Sequence, residues 1–405
     1  MRGLKRWSTV VVAGATVAAL ALTGCSKPAS SGDTKPAAGN QTGAPKAAPA
    51  SLTITPATGA VKVSTRPDVK LASDGKVSEV AVTDAAGKTI AGALAADQLS
   101  WHPANQLAYN TKYTVTAKAT NKDGTPTTAT SAFTTMSAPD KTNGLDFYVE
   151  SGSKVGVGLP IVFKFTYSVP NASHAAVQKA ISISTTQPVA GAWRWFSSDE
   201  LHFRPQSYWT PGTKIVVRAQ IGGVNMGNDR YGKRDRSISL TVGPKQVLEV
   251  DNKTHVAKVM QNDKLIRTMK ASLGKRSTPS SSGTMVVLNK SQKVTMDSAT
   301  YGVTKGMPGY YREDVYWDVR YTWSGEFVHG APWSVDSQGN SNVSHGCVNL
   351  STSNAKFFFN YTQPGDIIHI VNTVHTVDTG DGFTDWQISW DSYLKSGAAY
   401  TTQSL

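Results

Sequence analysis

Leu99-Ser100-Trp101-His102-Pro103, followed by Thr111-Lys112-Tyr113-Thr114-Val115, returns 102 residues later as Leu201-His202-Phe203-Arg204-Pro205 and Thr213-Lys214-Ile215-Val216-Val217. The offset is constant and needs no gap, which marks two copies of one structural unit rather than a chance match. Around the first copy, residues 51–140 alternate short β-prone runs with Gly, Asn and Asp turns. The runs include Leu52-Thr53-Ile54-Thr55, Val77 to Val82 and Tyr113 to Ala117. Helical periodicity is nearly absent, so the pattern is that of an all-β sandwich.

Residues 141–245 repeat the theme, and two immunoglobulin-like sandwiches in tandem are the simplest account. Neither half contains cysteine, so neither carries an inter-sheet disulfide. Their expected role is to space and orient. From Val247 the texture changes. Val247 to Val250, an Asn252-Lys253 turn, His255 to Met260, an Asn262-Asp263 turn and Leu265 to Met269 read as a three-strand meander. Gly274 to Gly283, with Thr278-Pro279 inside it, reads as a loop. Ser353 to Tyr361 fits a short helix broken at Pro364-Gly365, and Ile367 to Val371 a buried strand. The chain is therefore expected to be mainly β: two sandwiches (51–140 and 141–245), a β-rich module with a short helix (246–373), and a C-terminal extension (374–405) whose Trp386 and Trp390 pack back.

The N-terminus reads as an export signal over residues 1–25. Arg2, Lys5 and Arg6 precede an apolar run from Trp7 to Leu22, too short for a comfortable membrane span. Its ending, Leu22-Thr23-Gly24-Cys25, resembles the bacterial lipobox, which implies a diacylated Cys25 and a lipid anchor on the outer face of the cell membrane. Residues 26–50 are rich in Ala, Gly, Pro and Ser and read as a flexible tether. The remaining ~350 residues exceed one ordinary core. A formal net charge of +13 and a pI near 9.5 suit an anionic polymer. There is no zinc-finger spacing, aromatic RNA-binding signature or basic block, so nucleic acid is excluded as a partner.

Once Cys25 is lipidated, Cys347 is the sole thiol. It stands in Ser344-His345-Gly346-Cys347-Val348-Asn349, where the glycine permits a tight turn. A single thiol near two histidines builds neither a disulfide framework nor a four-ligand zinc site, but it suits a nucleophile. Such a thiol attacks as thiolate, and a neighbouring histidine takes its proton and returns one to the leaving amine. His345, two residues before Cys347, and His329, at the end of Ser324-Gly325-Glu326-Phe327-Val328-His329, are the candidates. The other six histidines lie in runs without a nucleophile. Nine of the residues from 301 to 333 are aromatic, against 9% of the whole chain. Gly302, Gly306, Pro308 and Gly309 break regular strand there, so this stretch is expected to be a loop carrying exposed rings.

The order His329…Ser344-His345-Gly346-Cys347-x-Asn349, with the Thr278-Pro279 loop as a weaker match, resembles the YkuD-type L,D-transpeptidases of bacterial cell walls. The arrangement of lipobox, paired sandwiches, catalytic module and tryptophan-bearing tail resembles the mycobacterial and actinobacterial lipoprotein members over nearly the full length. The resemblance implies a cysteine acyl transferase that makes 3→3 cross-links in peptidoglycan, releasing D-alanine from a tetrapeptide stem and passing the acyl group to a second stem. It implies Cys347 as nucleophile and His329 as general base, steadied by a backbone carbonyl, that of Gly330. It implies His345 and Gly346 as shapers of the turn and its oxyanion N–H groups, and Tyr311, Ser324, Gly325 and Asn349 as substrate contacts. Tyr301 and Trp333 are implied to belong to a lid over the cleft. Where relatives can carry serine after the histidine, this chain has Gly330. No cofactor or metal is implied; the loop Asn225-Met226-Gly227-Asn228-Asp229 has only one carboxylate. Carbapenem β-lactams are the implied inhibitors.

Two other readings remain open from residues alone. A wall-cleaving cysteine peptidase or carboxypeptidase would usually place cysteine before histidine, the reverse of the order here. A dead, wall-anchored spacer would not need His329, His345, Cys347 and Asn349 intact. The second sandwich is also expected to share an apolar interface with the catalytic module.

Overall fold

The structure is a computed structural model that describes residues 48–405. The export signal, Cys25 and most of the tether lie outside the described residues. The repeated motif occupies matching places in two sandwiches. In the first, Ser100–Pro103 lies between Val69–Ser73 and Gly92–Leu94, and Lys112–Thr120 lies between Pro126–Thr135 and Lys76–Asp84. In the second, Glu200–Pro205 lies between Ile161–Phe165 and Ala190–Ser197, and Lys214–Ala219 between Arg236–Val242 and Ile181–Thr185. The repeated apolar positions are the core: Trp101, Tyr113 and Val115 in one, Phe203, Ile215 and Val217 in the other, all buried. Alternation thus places these side chains on the inner faces, as a sandwich requires. The second sandwich also carries a helix, Asn171–Lys179, entered from Pro170; its single buried side chain, Val177, left too weak a periodicity to read.

The two sandwiches differ at their edges. Gly92–Leu94 and Lys76–Asp84 end their sheets, whereas the corresponding strands of the second sandwich are each covered by the chain terminus. Gly397–Thr401 pairs antiparallel with Ala190–Ser197, and Gln403–Ser404 pairs parallel with Ile181–Thr185. The tail therefore closes one edge of each sheet, sites that otherwise present unpaired N–H and C=O groups. Trp386 and Trp390 do pack back, and onto this sandwich: the Arg204 guanidinium lies 4.6 Å from the Trp386 ring, 5.2 Å from Trp390 and 4.6 Å from Tyr393.

The catalytic module has two sheets. A six-stranded sheet runs in the order Lys264–Lys270, Val256–Gln261, Gln246–Asp251, Ile367–Val371, Ser281–Val286, His375–Thr376, and contains the expected meander. The smaller sheet runs Asn289–Asp297, Arg312–Arg320, Phe327–Gly330, Val348–Leu350. Helix Thr352–Tyr361, capped by the Ser351 side chain on the Asn354 N–H, packs against the smaller sheet. The apolar interface with the second sandwich is present: Val286, Leu288, Ile367 and Phe383 belong to the same cluster as Phe163, Phe203 and Ile215. At Gly156 a Cβ would sit 2.1 Å from the Asp366 nitrogen, so the two backbones can meet only because a glycine is there.

One expectation needs correcting. The aromatic stretch is loop only at about 301–311 and 321–326; Arg312–Arg320 is a nine-residue strand. Gly302, Gly306, Pro308 and Gly309 all precede residue 310, and beyond them β-branched and aromatic residues resume strand geometry. Tyr321 is fully buried and Trp317 packs on Phe359, so neither is an exposed loop ring.

Candidate active site

Parallel pairing of Phe327–Gly330 with Val348–Leu350 sets His329 opposite Asn349 and Val328 opposite Val348. Val328, Val348 and Leu350 enter the core. Alternation then turns His329, Asn349 and Cys347 to the other face, where they share a pocket of about 440 Å³ with His345, Ser344, Tyr311 and Trp333. The sequence places these residues up to 38 positions apart, and the short parallel ladder brings them together.

His329 is buried, and its Nδ1–H donates to the Gly330 carbonyl at 3.0 Å. This leaves Nε2 with its lone pair free to act as a base. Burial pushes the imidazole down to about 4, against the weaker upward pull of the Gly330 bond. Cys347 is pushed up to about 12, chiefly by burial; a backbone hydrogen bond from Phe327 opposes this, and the carboxyls of Glu326 and Asp318 add to it. Its Sγ lies 3.9 Å from the Gly325 carbonyl oxygen. The resting pair is therefore a thiol beside a neutral imidazole.

The turn before the cysteine is built by hydroxyls. Gly346 has φ 127°, which a side chain would strain. The Ser344 hydroxyl donates to the Cys347 carbonyl at 2.7 Å and accepts from the Gly346 N–H at 3.1 Å. The expectation that the Gly346 N–H serves the oxyanion is thereby corrected: Ser344 occupies it, which leaves the N–H groups of His345 and Cys347 for that task. From the far side the loop at 274–283 props the turn: the Ser280 hydroxyl donates to the Gly346 carbonyl at 2.6 Å, and Thr278 Oγ1 to the Ser344 carbonyl at 3.2 Å. Ser280 was missed as a site residue although it stands in the quoted loop.

Asn349 is buried; its Nδ2 donates to Ser334 Oγ at 3.2 Å, while its Oδ1 has no partner among the described residues. A buried acceptor of that kind suits an incoming N–H. Tyr311 stacks on His345, ring centroids 4.7 Å apart and planes 23° from parallel, so the loop at 298–311 touches the turn before Cys347. His345 Nε2 faces Lys275 Nζ at 3.0 Å, and its ring is held below its ordinary range by burial and by that lysine. Trp333 stands at the rim, half exposed, 6.2 Å from the His329 ring. Tyr301 closes a 3₁₀ turn beside this loop. Ser324 is placed differently from expectation: its N–H and hydroxyl go to the Asp381 carboxylate at 2.7 and 2.6 Å, away from the pocket, because the C-terminal segment offers a charged acceptor. Gly325 meets the site through its carbonyl alone. Among the described residues no group of three His, Cys, Asp or Glu is placed to hold a metal, the loop at 225–229 included.

Residues 245–370 match the L,D-transpeptidase catalytic domain family, and residues 59–225 match a bacterial Ig domain family. The chain is 37% identical over 349 residues to L,D-transpeptidase 2 of Mycobacterium tuberculosis, covering 86% of this chain and 85% of that one. It is 31% identical over 353 residues to L,D-transpeptidase 5 of the same species, covering 86% and 77%. Among solved structures it is similar to an L,D-transpeptidase in complex with imipenem (35% identity, 58% of this chain and all of that one, TM-score 0.49). It is also similar to L,D-transpeptidase 3 of M. tuberculosis in complex with a faropenem-derived adduct (26% identity, 56% and 98%, TM-score 0.48).

Proposed function

Because this chain belongs to the L,D-transpeptidase family and is an enzyme of peptidoglycan cross-linking, we propose that Cys347 is its nucleophile and His329 its general base. The observation that carries this assignment is the Nδ1–H bond of His329 to the Gly330 carbonyl, which fixes the tautomer and leaves Nε2 in the same pocket as the thiol. The donor is a tetrapeptide stem. As Sγ attacks the carbonyl of its third residue, the thiol proton passes to His329 Nε2. The charge on the carbonyl oxygen is met by the His345 and Cys347 N–H groups. The imidazolium returns its proton to the departing D-alanine amine, and a thioester remains. The side-chain amine of a second stem then attacks the thioester, gives its proton to His329, and forms the 3→3 link as the thiol is restored. Asn349 Oδ1 accepts from a donor-stem N–H, and Tyr311 and Trp333 wall the cleft against water.

The test is release of D-alanine from a tetrapeptide stem, with products resolved into dimer and tripeptide. Cys347→Ala is expected to release none; release by that variant removes the cysteine from the mechanism.

The same thiol is proposed to open the strained amide of carbapenems. Intact mass should show one adduct per wild-type chain and none on Cys347→Ala; an adduct on the variant points to another site. We further propose that Cys25 is lipidated and that residues 26–50 tether the enzyme outside the cell membrane, for the sequence reasons given above. A cluster of Lys141, Arg230, Lys233, Arg234 and Arg236 around a pocket of about 420 Å³ on the second sandwich supports contact with an anionic wall.

A further inference from the structure

Two carboxyl groups approach Cys347 from inside the protein, and the reaction above uses neither. Glu326 is held by Ser281, whose N–H and hydroxyl donate to Oε1 at 3.0 and 2.9 Å. It lies beneath the nucleophile's turn: a Cβ on Gly346 would come 3.6 Å from Glu326 Cγ and Oε1. Asp318 is completely buried, and both its carboxyl oxygens lack a partner among the described residues.

A bulge determines which way Asp318 faces. Along Arg312–Arg320, Tyr316 pairs with Gly330 but Val319 pairs with Val328, so Trp317 and Asp318 together stand opposite His329. Trp317 takes φ 62°, the left-handed region that a bulky residue seldom enters. Before the bulge, Glu313 and Val315 line the catalytic pocket; after it, Val319 points into the core. The extra residue thus reverses the alternation and puts Asp318 on the pocket face, beside Val315 and across from His329. Backbone strain and an unsatisfied buried carboxyl are both unfavourable, yet they coincide beside the nucleophile.

The groups that face the sulfur come from four elements. Strand Phe327–Gly330 brings His329 and, just before it, Glu326. Strand Arg312–Arg320 and its end bring Glu313 at the pocket wall, Asp318 and the buried phenol of Tyr321. The turn brings His345, and the loop at 274–283 brings Lys275, whose ammonium is directed at His345. Within this ring the cation is Lys275, whose ammonium lies 3.0 Å from His345 Nε2. Burial raises both carboxyls, Asp318 to about 7, so above that pH a negative sulfur meets a buried site with two acidic neighbours, consistent with the S–H directed at the Gly325 carbonyl.

We propose that Glu326 and Asp318 are positioning residues that keep Cys347 a protonated thiol until an acyl donor occupies the cleft. The step they control is the one already written. The proton leaves Sγ for His329 Nε2 while the S–C bond forms, so negative charge passes onto the carbonyl oxygen and never rests on sulfur beside the two carboxyls. The sole thiol of the described residues is thereby shielded from electrophiles that react at an alkyl carbon and are not acyl donors. This inference rests on Cys347 being the nucleophile.

The experiment measures the rate of alkylation of Cys347 by iodoacetamide against pH in the full chain, since only thiolate reacts. Wild type should titrate well above the ordinary thiol midpoint of about 8.5. Glu326→Gln and Asp318→Asn should each lower the midpoint by about one unit, and so raise the rate at pH 8 about tenfold; the double variant should go further. Variants count when they keep the wild-type cooperative melting transition, because an unfolded thiol would also titrate lower. If Glu326→Gln fails that check, Asp318→Asn and Asp318→Ala decide. Unchanged midpoints in folded variants overturn the proposal. Failure of the underlying assignment looks different: wild type would then take up no imipenem adduct at Cys347, whatever its alkylation profile.

Discussion

His202 Nδ1 lies 3.0 Å from Asp385 Oδ2 in a fully buried pair that joins the second sandwich to the C-terminal segment. The other ring nitrogen faces Glu200 Oε1 at 3.0 Å, and the Tyr393 hydroxyl donates to Asp385 Oδ1 at 2.7 Å. With a carboxylate at each nitrogen, the ring satisfies both only as an imidazolium. Burial alone would push it down, but the charges and hydrogen bonds of Asp385 and Glu200 outweigh burial and lift it to about 9.

A pH dependence of stability follows. The folded value lies above the unfolded value of about 6.5, so the stabilisation is complete below about 6.5 and fades as pH rises through about 9. At most it is worth roughly 3–4 kcal/mol. The melting temperature should fall between pH 6.5 and 9.5, and His202→Gln should flatten that fall while lowering stability at pH 6.5. Equal slopes in both proteins would assign the dependence to other groups.

Removing residues 397–405 should destabilise the second sandwich, because it uncovers both edges that the tail closes. The expected signs are a melting temperature lower by several degrees and concentration-dependent aggregation. Unchanged melting would mean that the two terminal strands add little.

A chain beginning at residue 141 should keep its activity on soluble stem peptides, whereas one beginning at 246 should not fold. The first sandwich meets the second through a few polar contacts, among them Arg66 with Asp235 and Gln220 Nε2 with the Ala104 carbonyl at 3.0 Å. The second shares its core with the catalytic module. Assaying D-alanine release by the two truncated proteins checks this, and an active chain from 246 would show the shared core to be dispensable.

The acid limb of the rate profile for imipenem acylation should lie near pH 4 rather than near the ordinary histidine value, because burial holds His329 down. His329→Ala should slow acylation by about 10²–10⁴-fold and abolish that limb. A wild-type limb near 6.5 would indicate that His329 is solvated, or that another group is the base.

Much of this was legible before the fold was known. The repeat offset located Trp101 and Phe203 in equivalent cores, and the meander from Val247 emerged strand for strand. Cys347, His329 and Asn349 could be named because the chemistry needs those residue types close to one another. The remainder was hidden for physical reasons. Asp318 and Glu326 drew no notice in the sequence, since the bulge at Trp317 that turns Asp318 inward has no composition signal. Ser324 looked like a substrate contact until Asp381, 57 positions away, claimed its hydroxyl. Tyr321 was counted among exposed loop rings because its burial comes from core residues distant in the sequence.

The tail strands also fix an order of events. Since the second sandwich borrows Gly397–Thr401 and Gln403–Ser404, the catalytic module is topologically an insertion within it, although the linear order shows one following the other. Neither sheet of that sandwich can be completed until residues 397–404 have been delivered. The first sandwich can form before the rest of the chain is available, but the second must wait with two open edges. Its closure joins positions more than 200 apart, so the final folding step carries a long loop-closure entropy and is expected to be the slow one. A chain truncated between Asn349 and Gly397 would therefore keep Cys347, His329 and Asn349 but have an unfinished scaffold, and proteases would meet it in that state.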